Sequence, residues 1–128
     1  MSEIKLTNGS IENAILKDSK LVGGYVNSNG YISATGNGTI VFGNAHNNGI
    51  IDASGNGAVA IGHVDNGNYI KAKGDGASAI GYAISGSLDA SGNGAHAEGI
   101  NTKALAHGAH AEGNTAKAFG EASHAEGF

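Results

Sequence analysis

Residues 92–127 read GNGAHAEGINTKALAHGAHAEGNTAKAFGEASHAEG, in which one eight-residue phrase, GNGAHAEG from Gly92, returns as AHGAHAEG from Ala106 and GEASHAEG from Gly120. Upstream of Gly92 the same phrase recurs with other side chains, as GDGASAIG from Gly74, GNGAVAIG from Gly55 and GNGTIVFG from Gly36. The six copies start 19, 19, 18, 14 and 14 residues apart. A short segment precedes each one: ISAT, IDAS, IKAK, LDAS, TKAL and AKAF. A unit this short cannot bury a core by itself. Stacked units can, by hydrogen bonding rung to rung around a continuous column. The spacing therefore predicts an all-β chain, a parallel β-roll (β-solenoid) with two strands per coil over residues 32–128.

Composition agrees with a thin, repetitive structure. Leu, Ile, Val and Phe supply 25 of 128 residues, too few for a conventional single core, whereas Gly and Ala supply 44. The interior must then be narrow and lined by methyl groups. With no Cys there are no disulfides, thiol nucleophiles or sulfur-ligated zinc. A formal charge of -4 with seven scattered basic residues argues against nucleic acid as a partner. No apolar run approaches the ~20 residues that cross a bilayer, so no membrane insertion is expected. Residues 1–10 show neither a basic start nor the apolar stretch of a signal peptide.

Alternation with a period of two assigns faces. In the short segments Ile32 and Ala34, Ile51 and Ala53, Ile70 and Ala72, Leu88 and Ala90, Thr102 and Ala104, then Ala116 and Ala118 point inward. Ser33, Asp52, Lys71, Asp89, Lys103 and Lys117 point to solvent, and the first four charged members would form an alternating-sign ladder. Lys117 beside Lys103 breaks it without compensation. In the eight-residue phrase the small side, from Thr39 and Val41 to Ser123 and Ala125, must face the coil's interior. The opposite side carries Ile40, Phe42, Val59, Ile61 and Ile80, then His96, Glu98, His110, Glu112, His124 and Glu126. A narrow interior could not desolvate three imidazoles and three carboxylates. Left bare, the bulky half is an apolar strip of the kind that marks a contact surface, so the chain is expected to self-associate.

GASAIG from Gly76 and the triplet GAHAEG, GAHAEG and ASHAEG resemble the head repeats of trimeric autotransporter adhesins, the YadA-like family. Similar SHAEG-type units occur in bacteriophage tail and fibre proteins. The resemblance covers residues 32–128 and implies a left-handed roll, three copies of which assemble, intertwined or side by side, as a homotrimer. The 19-residue spacing exceeds the compact 14 of that family. Residues 1–31 do not match the phrase and are expected to cap the roll or dock onto a carrier. The implied role is a structural fibre head or shaft of a phage tail fibre or similar appendage, located on the virion and contributing to host attachment. Two alternatives stand beside it: a bacterial cell-surface adhesin head that binds matrix protein or glycan, and a non-catalytic stem of a larger phage peptidase or glycan hydrolase.

The strip and its His/Glu continuation are the expected trimer interface. The longer coils insert Asn-, Gly- and Ser-rich stretches, read as projecting loops. Within them His46, Asn47, Asn48, Asp65, Asn66, Asn68, Ile84 and Ser85 are candidate contacts for a host-surface glycan or protein receptor. A ring of His nitrogens about a threefold axis could hold a metal. The repeating His and Glu satisfy one another more simply, so no metal or cofactor is assigned. The GNG and GDG turns lack the Lys and Ser or Thr of a phosphate loop. No Ser, His and Asp set stands apart from the repeat, and no enzyme activity is expected.

Overall fold

Strict alternation of small apolar and polar side chains gives each segment one face to hide, and among the described residues every regular element is a short strand. The computed structural model describes residues 20–128. In chain order the strands are β1 (Leu21–Val26), β2 (Tyr31–Ala34), β3 (Ile40–Ala45), β4 (Ile50–Ala53), β5 (Val59–Val64) and β6 (Tyr69–Ala72). They continue with β7 (Ser78–Ala83), β8 (Leu88–Ala90), β9 (His96–Ile100), β10 (Lys103–Ala104), β11 (His110–Asn114), β12 (Lys117–Ala118) and β13 (His124–Gly127). Odd-numbered strands form a seven-stranded sheet and even-numbered ones a six-stranded sheet, each in sequential order. Neighbours are parallel throughout, as in β5 with β7 and β4 with β6. The chain thus alternates between two sheets and winds a parallel β-solenoid.

The solenoid starts earlier than the repeat phrase indicates. Strand β1 pairs with β3 from Leu21↔Ile40 to Val26↔Ala45, so the first coil lies inside the segment read as a cap. Its sequence, LVGGYVNSNGYISA, matches the coil that follows but lacks the GNG turn ahead of it, and that turn defined the phrase. Of the expected cap, residues 1–19 lie outside the described residues.

The interior follows the predicted alternation. Ile51, Ile70 and Leu88 from one sheet and Val41, Ala60, Ala79, Ala97 and Ala111 from the other are fully buried. The two sheets are complementary in size. A Cβ added to Gly43 would fall 2.7 Å from Ile51 Cδ1, and one on Gly62 would fall 2.8 Å from Ile70 Cδ1. One sheet therefore gives up a side chain where the other places an isoleucine. In the 14-residue coils Thr102 and Ala116 take that position. Thr102 is fully buried, and its hydroxyl has no hydrogen-bond partner.

The charged outer row has the expected register, Asp52↔Lys71, Lys71↔Asp89 and Lys103↔Asp89, but its partners differ. Asp89 pairs with Lys73 at 3.2 Å and accepts from Ser91 Oγ at 2.6 Å, and it is buried rather than solvated. Asp52 accepts a hydrogen bond from Ser33. Lys71 Nζ sits 4.6 Å from the centroid of the Tyr69 ring. A flexible lysine stem reaches the partner that leaves its ammonium best hydrated, and backbone register does not decide which one. The GNG and GDG turns form a ladder of their own: the N–H groups of Asn37, Asn56 and Asp75 donate to side-chain oxygens of Asn56, Asp75 and Asn93 at 3.1, 2.9 and 2.9 Å. Amides that a phosphate would need are already occupied by the next rung.

Two kinds of glycine are distinguishable by experiment. A Cβ on Gly62 (φ +154°) would lie 1.8 Å from the Gly81 carbonyl oxygen, so Gly62→Ala should cost roughly 3 kcal/mol or more in denaturant unfolding. Gly57 (φ +66°) has open space around the same atom, and Ala122 already occupies the equivalent place at φ 52°. Gly57→Ala should therefore cost only about 1–2 kcal/mol. Thr102→Val keeps the shape and removes the orphaned hydroxyl, and it should raise stability by ~1 kcal/mol.

Candidate assembly face and receptor loops

On the seven-stranded sheet, residues alternate between the interior and an outer face, so equivalent positions align as columns up the stack. The first column runs Ile40, Val59, Ser78, His96, His110, His124, and the second Phe42, Ile61, Ile80, Glu98, Glu112, Glu126. All eleven residues expected at an interface thus share one face. Ile40 and Phe42 remain 38% and 37% exposed, while Val59, Ile61 and Ile80 are half-buried, so the apolar strip is open along its length.

In the polar half of the face each His lies beside the Glu of its own rung, although His110 Nε2 is buried without a hydrogen-bond partner. His96 Nε2 lies 3.0 Å from Glu98 Oε2, and its Nδ1 is 2.5 Å from Ser78 Oγ. The corresponding His110–Glu112 and His124–Glu126 distances are 3.6 and 3.5 Å. Ring centroids of His96, His110 and His124 follow one another at 4.9 and 4.7 Å. Each imidazole thus has the carboxylate of its own rung as its nearest charged partner. Among the described residues no three His, Asp or Glu side chains converge on a point where an ion could sit.

A third column lies beyond the eight-residue phrase, which ends at its last glycine. Strands β3, β5 and β7 continue past Gly43, Gly62 and Gly81, and Ala45, Val64 and Ala83 point inward, fully buried. Tyr25, Asn44, His63, Tyr82 and Ile100 then align on the outer face. The His46 ring packs between Tyr25 and His63 at 5.7 and 5.4 Å, and His63 meets Tyr82 edge-on at 5.0 Å. The signal was present as continued alternation in FGNAH and IGHVD. Asn27 Oδ1, Asn44 Oδ1 and His46 Nε2 are buried here without hydrogen-bond partners.

The expected projecting loops are instead tight stacked turns. Asn47, Asn48 and Asn66 take left-handed φ values of 46°, 65° and 54°, which Asn tolerates better than other side chains. The Asn48 N–H donates to Ser28 O at 3.0 Å and the Gly67 N–H to Asn47 O at 2.9 Å, so the turns extend the ladder. Asn68 Nδ2 donates to Asp65 O and Ile84 O at 2.7 and 2.8 Å. His46 belongs to the outer face, and Ile84 and Ser85 form an exposed connector at the end of the longer coils. Asp65 Oδ1 accepts from Asn47 Nδ2 at 2.7 Å and from the Asn66 N–H at 2.8 Å. The hydrogen bond from the Asn47 amide, with smaller contributions from the Asn66 N–H and nearby His46 and His63, holds the Asp65 carboxyl below its ordinary value against the opposing effect of desolvation.

The chain matches no family model, no curated protein and no solved structure.

Replacing Asn47 with Ala should move the Asp65 carboxyl back toward 3.8, as read by carboxyl carbon shifts in a pH titration. A carboxyl lowered in the folded state contributes stability above its unfolded value and loses it as pH falls through the lowered folded value. The variant should lack that part of the acid dependence. An unchanged titration midpoint would contradict the assignment.

Proposed function

We propose that the chain is a rigid segment of a phage tail fibre or similar virion appendage, built as a homotrimer of left-handed rolls, and that it contributes to host attachment. The observation that carries this reading is the open strip of Ile40, Phe42, Val59, Ile61 and Ile80, continuous with the orphaned polar atoms of Asn27, Asn44 and His46. Sister copies turning the same face to a shared threefold axis would cover the apolar half and supply partners to the polar one, because equivalent columns of the three chains meet around that axis. The His and Glu columns would then line the seam's second half as paired, hydrated groups. Such a role is structural and adhesive, without catalysis.

The geometry suits a spacer. Seven rungs at ~4.8 Å extend the sheet by roughly 29 Å, with backbone hydrogen bonds along the axis of load. Its exposed turns offer Asn and Asp side chains for contact with a host-surface glycan or protein.

Light scattering should give three times the 12.6 kDa chain mass. Ile61→Asp sets three carboxylates against one another in an apolar seam and should cost about 3–5 kcal/mol of assembly, enough to produce monomers at micromolar concentration. Asp52→Asn, on the opposite sheet, should leave the mass unchanged. A wild-type chain that stays monomeric at high concentration would overturn the reading.

A further inference from the structure

The stack contains a single step. Connectors from the seven-stranded to the six-stranded sheet shorten from four residues, 84–87, to two, Asn101–Thr102 and then Thr115–Ala116. Asn101 and Thr115 turn the chain with left-handed φ values of 53° and 60°. Below the last long connector this leaves a concavity of about 190 Å³, lined by Ser85, Ser87, Asn101, Lys103, Thr115 and Lys117. It is the place where the two uncompensated lysines of the outer row stand.

Lys103 and Lys117 are direct neighbours in parallel register, and among the described residues neither forms an ion pair. Asp89, the acid aligned with Lys103, is turned toward Lys73 and Ser91. Two ammonium groups one rung apart repel each other, and an anion set between them relieves that repulsion. Around them are groups suited to hydroxyls. Asn101 Nδ2 donates to Ser85 Oγ at 3.1 Å, leaving the Ser85 hydroxyl hydrogen to donate elsewhere. Thr115 Oγ1 donates to the Asn114 carbonyl at 2.7 Å and keeps its lone pairs for an incoming donor.

We infer that this step binds the oxyanion of an acidic sugar, a carboxylate or phosphate, carried by one residue of an anionic surface polysaccharide. The inference rests on the attachment role proposed above and names the chemical class of its receptor. The volume is below the ~300 Å³ at which pockets enclose whole drug-sized ligands, so it holds one charged substituent while the rest of the polymer lies outside. The net charge of -4 gives no long-range attraction for polyanions, so recognition operates at contact.

The test uses the full chain, labelled with ¹⁵N and titrated with glucuronate, glucose 6-phosphate, glucose and sodium sulfate. Saturable shifts confined to residues 101–103 and 115–117 are expected with the two acidic sugars, whose relative affinities identify the oxyanion. Lys103→Gln with Lys117→Gln should weaken that binding at least about tenfold, which corresponds to ~1.4 kcal/mol. Arg at both positions should retain it, and Lys71→Gln should not alter it. Sulfate binding as tightly as the sugars, shifts spread over all lysines, or indifference to the double Gln variant would each overturn the inference. A bacterial-cell adsorption assay separates the two readings. If the wild type and the double Gln variant adsorb equally, the site fails and attachment survives. If neither adsorbs while glucuronate still binds at the lysines, attachment fails and the site stands.

Discussion

Successive coils lie so close that a hydrogen atom is all that fits between their backbones along one column. A Cβ at Gly24, Gly43, Gly62, Gly81 or Gly99 would stand 1.8–2.0 Å from the carbonyl oxygen of the corresponding glycine one rung on. This contact fixes the register of the seven-stranded sheet, because a slip of one residue would drive an Ile, Phe or Asn side chain into that space. With register fixed, every position in the repeat becomes a column. Each residue is then judged by its compatibility with near-copies of itself above and below, more than by its local conformational preference.

Column logic explains which residues the chain tolerates. Alanines stack in the interior because the sheets are too near for anything larger on both sides, and isoleucine enters only opposite a glycine. Asn and Asp recur in the turns because their side-chain oxygens accept the N–H of the preceding rung. Aromatic and imidazole rings follow one another at spacings near the strand separation, from Tyr25 through His46 to His63 and from His96 to His124. Identical charges in a column repel, and the Glu98, Glu112 and Glu126 column carries a His beside each carboxylate. Of the lysines in the outer row, Lys71 rests against Tyr69 and the neighbouring Lys73 finds Asp89, while Lys103 and Lys117 form no ion pair among the described residues.

The same regularity makes departures from it informative. The outer face is apolar in its first half and His/Glu in its second, and the interior of the coil is complete without it. The change in coil length from 18 to 14 residues likewise creates the one concavity at which the charge pattern also fails. The proposed assembly and the proposed recognition would then use different sides, the first the outer face of the wide sheet and the second the step beside the narrow one.

The sequence alone determined the parallel solenoid, the inward alternation of each strand and the shared face of Ile40 through Glu126, because the period of the repeat and the alternation within it are local properties. It did not reveal that the first coil begins at Leu21, since that coil carries the shape of the repeat without its defining turn. Nor did it show strands running through their glycines into a third column of Tyr25, His63 and Tyr82, because glycine reads locally as a stop and only the stacked backbones show it as a point of closest approach. The tertiary structure alone decided the partners of Asp52, Asp89 and the lysines and opened the space beneath residues 84–87. Flexible side chains choose among neighbours several rungs apart, and a cavity is a property of the coils around it rather than of any stretch of chain.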